Sequence, residues 1–205
     1  MLFVCTANIC RSPMAEALMA RRMRQRGAPA TVSSAGLLEG GRTSPPEIVE
    51  LLGGIGVDMT ARTSRQLQVD SLESADLVLT MERAHVRAIA LMAPTAWPKT
   101  FTLKEIVRRG TLAGQIGEDE AIEEWTARVQ ADRAPSALLG GSESDDVADP
   151  YGGTAAEYRS TLHEIDGLVT AVAELIWPQP HVSPEGASVS APWLRRSRFS
   201  LARRS

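Results

Sequence analysis

The chain carries LFVCTANICRSPMAEAL at residues 2–18, where a short strand, a polar loop and the beginning of a helix follow one another. Leu2-Phe3-Val4 is an apolar run typical of a buried strand, and Ser12-Pro13 is typical of a helix N-cap and first helical position. A strand that leads through a loop into a helix is the first half of a βαβ unit. The pattern predicts an α/β fold with ligands at the carboxyl ends of parallel strands.

Strands and helices go on alternating beyond this unit. Further strands are predicted at 31–34, at 75–80 and within 97–102. Helices are predicted from Ser12-Pro13 to Gly27, from Ser44-Pro45-Pro46 to Gly53-Gly54, over 83–91, around 119–132 and from the capping box of Thr154 and Glu157 to Trp177. This alternation indicates a parallel sheet covered by helices.

One domain over residues 1–177 is predicted from the length of 205 residues, with 43% apolar and 23% charged residues. Within it, residues 103–148 depart from the regular pattern as an accessory segment that ends in a surface loop over 134–148. Residues 178–205 are rich in Pro, Gly and Ser without an apolar periodicity, so we expect a disordered tail.

The composition limits the classes of function. With only Cys5 and Cys10, the chain has neither a disulfide framework nor an all-cysteine zinc site, and its three histidines lack metal-ligand spacing. We therefore predict neither a metal nor an organic cofactor. No apolar run approaches the roughly 18 residues of a membrane helix, and no basic leader is present, which predicts a cytoplasmic protein.

Five arginines lie after residue 192, so the rest of the chain is strongly acidic. An acidic body argues against nucleic acid as a partner, because binding it requires a cationic face. The tail mixes its arginines with Trp193 and Phe199, which favours a weak contact with an anionic membrane. The five residues are Arg195, Arg196, Arg198, Arg203 and Arg204.

The loop at residues 5–12, here named the anion loop, suits a tetrahedral dianion such as phosphate, because its backbone N–H groups and the helix start are positive. The same surroundings favour a Cys5 thiolate, which would be the nucleophile. Arg11 would hold two phosphate oxygens, and Ser12 would donate to the thiolate. The other expected substrate-binding residues are Thr6, Ala7, Asn8, Ile9 and Cys10.

The departing oxygen of a phosphate ester needs a proton, for which a carboxylic acid is the usual donor. Asp149 is the candidate, because Pro150 stiffens its loop and the long final helix anchors it. Asp145 and Asp146 lie in the same loop, and spacing alone leaves them open as alternatives.

Five segments carry a recognisable combination of motifs. They are Val4-Cys5 through Arg11-Ser12-Pro13-Met14-Ala15-Glu16-Ala17, Ser34-Ala35-Gly36, Arg65-Gln66-Leu67, Asp76-Leu77-Val78-Leu79-Thr80-Met81 and Asp149-Pro150-Tyr151-Gly152. Together they resemble the low-molecular-weight protein tyrosine phosphatases. The resemblance implies a three-layer α/β sandwich with a four-stranded parallel sheet, a phosphocysteine at Cys5, and Asp149 as general acid and then general base.

The same resemblance implies further roles around the loop. Asn8 would hold the loop in shape through strained backbone geometry, with Ser34 as its hydrogen-bonding neighbour. Tyr151 would form one wall of the cleft against an aromatic substrate. Cys10 would form a reversible disulfide with Cys5 that protects the nucleophile from overoxidation.

The chain departs from the family pattern at several positions. Ala7 replaces a glycine, so its methyl group must point away from the anion. Arg62 stands where a histidine often supports the loop, and the supporting network must therefore differ. Leu37-Leu38-Glu39 replaces an aromatic cleft wall, and Gly152-Gly153 replaces an aromatic residue after Tyr151, which opens the cleft.

The sequence thus predicts a phosphomonoester hydrolase that acts on a phosphotyrosine protein or a small aryl phosphate. One alternative is arsenate reduction on the same scaffold, which would need an external low-molecular-weight thiol because the chain lacks further cysteines. Another alternative is a module that binds phosphotyrosine without turnover.

Overall fold

A parallel sheet stands at the centre of the fold. The computed structural model describes residues 1–178, without the side chains of 137 and 138. In this part of the chain the strands are β1 (Leu2–Cys5), β2 (Ser33–Gly36), β3 (Val78–Thr80) and β4 (Thr100–Thr102), in the order β2-β1-β3-β4. All neighbours pair in parallel, which confirms the predicted four-stranded sheet. The carboxyl end of β1 therefore lies between two other strands.

Helices cover both faces of the sheet. Those in the described residues are α1 (Arg11–Arg26), α2 (Pro46–Gly53), α3 (Val69–Ser74), α4 (Arg83–Met92), α5 (Leu103–Ala113), α6 (Ile122–Gln130) and α7 (Ala155–Ile176), with 3₁₀ turns at Pro94–Lys99 and Pro135–Leu138. Phe3 points into the core formed with α1 and α7, whereas Leu2 and Val4 point into the core formed with α3 and α4. This alternation along β1 produces the predicted three layers.

The first helix begins two residues earlier than predicted. It starts at Arg11, Cys10 occupies the N-cap position, and no side chain caps the helix. Ser12 lies inside the first turn, with its hydroxyl 3.1 Å from the Cys5 sulfur. The N-cap prediction for Ser12 is wrong. Its hydroxyl contacts the Cys5 sulfur across the loop and does not cap the helix, although serine is a preferred N-cap residue.

The second strand begins two residues later than predicted. Parallel pairing with β1 places Ser34 beside Phe3 and Gly36 beside Cys5, so tertiary pairing, not the β propensity of Thr31-Val32, sets its limits. Helix α3 is absent from the sequence-based prediction. It has six residues and a single buried side chain, Leu72, which is too little for a helical apolar period.

A buried ion pair orders the accessory segment. Arg133 Nε donates to Glu105 Oε1 at 2.7 Å, and the Arg133 guanidinium lies over the rings of Trp97 and Phe101 at 3.9 and 4.5 Å. Glu105 belongs to α5, which begins with a capping box at Thr102. The pair therefore joins the loop after α6 to α5 and to the end of the sheet.

The predicted surface loop over 134–148 is wrong at its carboxyl end. Asp145 and Val147 are buried, and the Val147 N–H donates to Met81 O at 2.8 Å. This bond brings the segment to the residue that follows β3. The composition of the segment did not reveal the contact, because its partner lies far away in sequence.

No helix within residues 1–178 has both the length and the apolar character that a bilayer crossing requires. The cytoplasmic location stays a prediction. The tail arginines and their predicted membrane contact lie outside the described residues, so the domain boundary at residue 177 also stays a prediction.

Candidate active site

The anion loop connects β1 to α1 and places the Cys5 sulfur beneath its backbone. The sulfur is 3.1 Å from Ser12 Oγ, and it accepts a hydrogen bond from the Asn8 N–H at 3.2 Å. Cys5 itself is buried, with 3% of its surface exposed. The sulfur thus has two polar neighbours inside the loop, the Asn8 N–H and the Ser12 hydroxyl, and lies where a nucleophile is expected.

Asn8 occupies the left-handed backbone region, with φ of 54°. Its side-chain amide donates to Ser12 Oγ at 2.9 Å and to Ser34 Oγ at 2.8 Å. Its side-chain oxygen accepts from the Arg65 N–H at 2.9 Å and from Arg62 Nη2 at 3.0 Å. These four bonds offset the conformational strain, which is of order 1–3 kcal/mol. The structure thus brings together Asn8 and Ser34.

Arg62, in the segment between α2 and α3, extends this network. Its guanidinium donates to Asn8 O at 3.1 Å, to Ser34 Oγ at 2.8 Å and to Glu16 Oε2 at 3.2 Å. Burial lowers the pKa of Arg62 below its usual value, and the Glu16 carboxylate opposes that shift. Glu16 also accepts from Ser34 Oγ at 2.6 Å and from Arg65. Sequence reasoning did not assign Glu16 a role, although the residue lies within the matching motif.

Gly36 allows the end of β2 to approach the anion loop. A Cβ atom at this position would lie 2.8 Å from the carbonyl carbon of Ala7 and 2.8 Å from the backbone nitrogen of Asn8. Both neighbours are backbone atoms that cannot move without changing the loop. The close approach of these backbone atoms therefore explains why glycine occupies position 36.

Arg11 is buried beneath the loop and bonded to two carboxylates. One terminal nitrogen donates to Glu82 Oε1 and to Val147 O, the latter at 3.0 Å. The other donates to Asp149 Oδ2 at 2.7 Å and to Thr6 Oγ1 at 3.4 Å. Sequence reasoning missed Glu82, but its place just after β3, at the carboxyl edge of the sheet, is a signal that could have indicated it.

His85 is buried beside the anion loop. Its Nε2 is 2.9 Å from Thr6 Oγ1 and 3.9 Å from Glu82 Oε1. Burial, together with the charge of Arg11, lowers the pKa of His85 to about 4 against the opposing effect of Glu82. The imidazole is therefore neutral at physiological pH, consistent with a structural residue.

The structure separates the three candidate acids. Asp145 is buried and bonded to Arg83 Nε and Arg108 Nη2, each at 2.9 Å. Burial raises its pKa, but the hydrogen bonds from both arginines outweigh that effect and bring the pKa below its usual value. Asp146 accepts from the Arg83 N–H at 2.7 Å. Only Asp149 among the three borders the cavity above Cys5.

That cavity has a volume of about 240 Å³ and Cys5 at its base. The partly exposed side chains of Leu38 and Tyr151 stand at its rim, with 47% and 57% of their surfaces exposed. The complete lining is Cys5, Thr6, Ala7, Ile9, Cys10, Arg11, Leu38, Arg42, Asp149 and Tyr151. All the predicted substrate-binding residues except Asn8 and Ser12 thus border the cavity, and those two support it from behind.

Cys10 also borders the cavity, as a free thiol like Cys5. Burial and the nearby charges of Asp149 and Cys5 raise the pKa of Cys10 to about 12. The two thiols therefore differ in their surroundings: the Asn8 N–H donates to the Cys5 sulfur, whereas burial favours the neutral form of Cys10.

Within residues 1–178, no group of three or more acidic, histidine or cysteine side chains is arranged to hold a metal ion. A buried cysteine under a loop of backbone N–H groups, with an arginine and a carboxylate at the same cavity, defines the cysteine-dependent phosphatases. Residues 1–116 match the model of the family described as low molecular weight phosphotyrosine protein phosphatase, and the chain belongs to that family. It is a phosphatase, and its family acts on phosphorylated proteins.

Relatives cover most of the chain. The chain is 32% identical to a protein-arginine-phosphatase of Bacillus subtilis over 84% of this chain and 93% of the relative. It is 29% identical to a low molecular weight protein-tyrosine-phosphatase of Streptomyces coelicolor over 85% of this chain and 93% of the relative. The crystal structure of such a tyrosine phosphatase from T. tengcongensis is 32% identical, with a TM-score of 0.63 over 84% of this chain and 96% of that one.

Proposed function

We propose that the chain is a protein tyrosine phosphatase that works through a phosphocysteine on Cys5. The observation that carries this proposal is the convergence of Cys5, Arg11 and Asp149 on one cavity. A nucleophile, an anion-binding guanidinium and a proton donor are the three groups that hydrolysis of a phosphate ester requires.

In the first step, the Cys5 thiolate attacks phosphorus and the bond to the leaving oxygen breaks. The loop N–H groups and Arg11 stabilise the charge on the equatorial oxygens. Asp149 in its protonated form gives its proton to the leaving phenol oxygen. The Asn8 N–H, which donates to the sulfur, and the Ser12 hydroxyl, 3.1 Å from it, support this role of Cys5 because both can stabilise charge on the sulfur.

In the second step, water attacks the phosphocysteine and the sulfur–phosphorus bond breaks. Asp149, now a carboxylate, accepts the proton of the attacking water, and inorganic phosphate leaves. The Ser12 hydroxyl donates to the sulfur as negative charge returns to it, over the 3.1 Å that separates the two atoms. Both steps use only side chains at the cavity or directly behind it, backbone N–H groups and water.

Phosphotyrosine fits the lining of the cavity. Ile9, Leu38 and Tyr151 offer apolar surface to an aromatic ring. Asp149 is the one carboxylate in this lining, whereas Arg11 and Arg42 are both cationic. A phosphoarginine would bring further N–H donors to a site that is short of acceptors.

Phosphoarginine is nevertheless a second candidate substrate. Two relatives, from Bacillus subtilis and Geobacillus stearothermophilus, are named protein-arginine-phosphatases and are 32% and 31% identical to this chain. A similar solved structure is that of a mutant arginine phosphatase with a phosphorylated active-site serine, which has a TM-score of 0.63 and 30% identity over 84% of this chain and 92% of that one.

Peptides of one sequence that carry either phosphotyrosine or phosphoarginine test the proposal. We expect kcat/KM to favour phosphotyrosine by about tenfold or more, because unpaired N–H donors are costly in a buried site. Cys5→Ser should abolish turnover of both peptides. A preference for phosphoarginine would establish the second candidate.

The same preparation tests the two alternatives that the sequence leaves open. Binding of the phosphotyrosine peptide without release of phosphate would favour the non-catalytic module. Oxidation of an added low-molecular-weight thiol that depends on arsenate would favour arsenate reduction.

A further inference from the structure

Arg42 lies at the rim of the cavity, and hydrogen bonds to Ser64 hold its backbone in place. The Gly41 N–H donates to Ser64 O at 2.9 Å, the Ser64 N–H donates to Arg42 O at 2.7 Å, and the Arg42 N–H donates to Ser64 Oγ at 3.0 Å. An antiparallel bridge between Thr43 and Thr63 continues this pairing. The start of the Arg42 side chain is therefore fixed relative to the cavity.

The Arg42 guanidinium extends to the mouth of the cavity, 6.0 Å from the centre of the Tyr151 ring. No carboxylate in residues 1–178 lies within ion-pair distance of it. By contrast, Arg62 and Arg65 both pair with Glu16. Arg42 thus offers a charge that the described part of the protein does not neutralise.

A bound phosphotyrosine would bring neighbouring residues to this rim. Its phosphate would lie on Arg11 at the base and its ring between Leu38 and Tyr151, so the peptide backbone would leave the cavity beside Arg42. A planar guanidinium binds a carboxylate with two parallel hydrogen bonds. An acidic side chain of the substrate is the group that this position can bind.

We propose that Arg42 selects phosphotyrosine sites that have an Asp or Glu next to the phosphorylated residue. This inference rests on the proposed function and adds a sequence preference to it. The carboxylate of the neighbouring residue pairs with the Arg42 guanidinium at the mouth while the phosphate occupies the anion loop. A lysine at the same place in the substrate meets like charge.

Matched peptides that differ only beside the phosphotyrosine test this selection. Glu, Gln or Lys is placed on each side of it in turn, and kcat/KM is measured for the wild type, Arg42→Gln and Arg42→Glu. We expect the wild type to favour the better Glu peptide over its Gln partner by about two- to fivefold, the range of an exposed ion pair. In Arg42→Gln the kcat/KM values for the Glu and Gln peptides should become equal. In Arg42→Glu the Lys peptide should have the highest kcat/KM.

The control is Arg24→Gln, which removes an exposed arginine from the last turn of α1 and should leave the wild-type ratio intact. The wild-type ratio should also shrink at high salt, because exposed charges are screened. An Arg42→Gln enzyme that keeps the Glu preference would overturn the role of Arg42.

Turnover of p-nitrophenyl phosphate, which has no neighbouring residue, separates this inference from the proposed function. A wild-type enzyme that hydrolyses it but shows equal rates with all peptides would overturn only the inference. A wild-type enzyme that hydrolyses neither it nor any peptide would overturn both.

Discussion

Arg11 Nη2 and Asp149 Oδ2 are joined by a 2.7 Å hydrogen bond, so the proposed anion binder and the proposed acid hold each other. Arg11 is almost fully buried, whereas the Asp149 side chain is 43% exposed. In the proposed reaction, a phosphate dianion displaces Asp149 from this guanidinium, and Asp149 acts as the acid in its protonated form. We therefore expect the contact to couple anion binding to the release of Asp149 from Arg11.

Asp149→Asn should separate binding from catalysis. Removal of the carboxylate frees Arg11 Nη2 from its ion pair, while Nη1 keeps its contact with Glu82. We therefore expect inorganic phosphate to bind up to about fivefold more tightly, the range of a partly exposed ion pair. kcat should fall by about 10²–10⁴-fold, because the amide cannot donate the proton. Calorimetric titration with phosphate and assays with p-nitrophenyl phosphate measure the two effects. Asp70→Asn on α3 is the matched control, and weaker phosphate binding by Asp149→Asn would contradict the coupling.

Arg62→Ala should impair the anion loop. The change removes three hydrogen bonds to Asn8 and Ser34 and leaves their acceptors buried, which costs about 1–3 kcal/mol of stability. A loosened loop should lower kcat about tenfold, because it no longer holds its N–H groups in place. Arg65→Ala is the matched control, since the Arg65 guanidinium also pairs with Glu16 but makes no hydrogen bond to Asn8 or Ser34 in the described residues. Equal losses in both variants would show that Arg62 acts through Glu16 alone.

Gly36→Ala should destabilise the protein and reduce its activity. The new methyl group would lie 2.8 Å from the backbone of Ala7 and Asn8, and such overpacking costs about 1–3 kcal/mol. Gly167→Ala in α7 provides the contrast, because nothing lies within 4 Å of its Cβ position. That variant should gain about 0.5–1 kcal/mol from helix propensity. Urea unfolding and kcat measure both, and an unaffected Gly36→Ala enzyme would be incompatible with the close approach.

His85 should make the protein less stable in mild acid. Its pKa is lowered to about 4 in the folded state, against about 6.5 in an unfolded chain, so the unfolded chain takes up the proton first. The contribution of neutral His85 to the free energy of unfolding is fully present above pH 6.5. It is lost as the pH drops from there toward 4, by about 2 kcal/mol at pH 4.5. His85→Gln should lose this part of the pH dependence while other acid-sensitive groups remain. Urea unfolding at pH 7 and pH 4.5 measures the difference, and identical pH dependence in both proteins would contradict the assignment.

Cys10 should make oxidation of Cys5 reversible. Peroxide oxidises the Cys5 sulfur to a sulfenic acid. The Cys10 thiolate then attacks that sulfur, the S–S bond forms as the S–O bond breaks, and the departing hydroxide takes up a proton to become water. Because the pKa of Cys10 is raised to about 12, the disulfide should form faster as the pH increases from 7 to 9. Activity lost to peroxide should return with dithiothreitol in the wild type but not in Cys10→Ser. Full recovery of activity by Cys10→Ser after dithiothreitol would contradict this role of Cys10.

The layout of the fold could be predicted from local patterns. The apolar run at β1, the alternation of strands with helices, and the capping box of α7 are all encoded within a few residues of one another. Helix α3 and the limits of β2 could not be predicted in this way. Six residues carry too little periodicity for the helix, and pairing with β1 overrides the propensities around Thr31.

The sequence by itself determined that Cys5, Arg11 and Ser12 lie together where β1 passes into α1, because their spacing between a strand and a helix leaves few other arrangements. Tertiary structure decided what surrounds that loop. It directs Asp149, not Asp145, to the cavity, because Arg83 and Arg108 hold Asp145 in the protein interior. It also brings Glu82, Arg62 and Arg42 to the site from distant segments, and contacts between such segments leave no signal in local spacing.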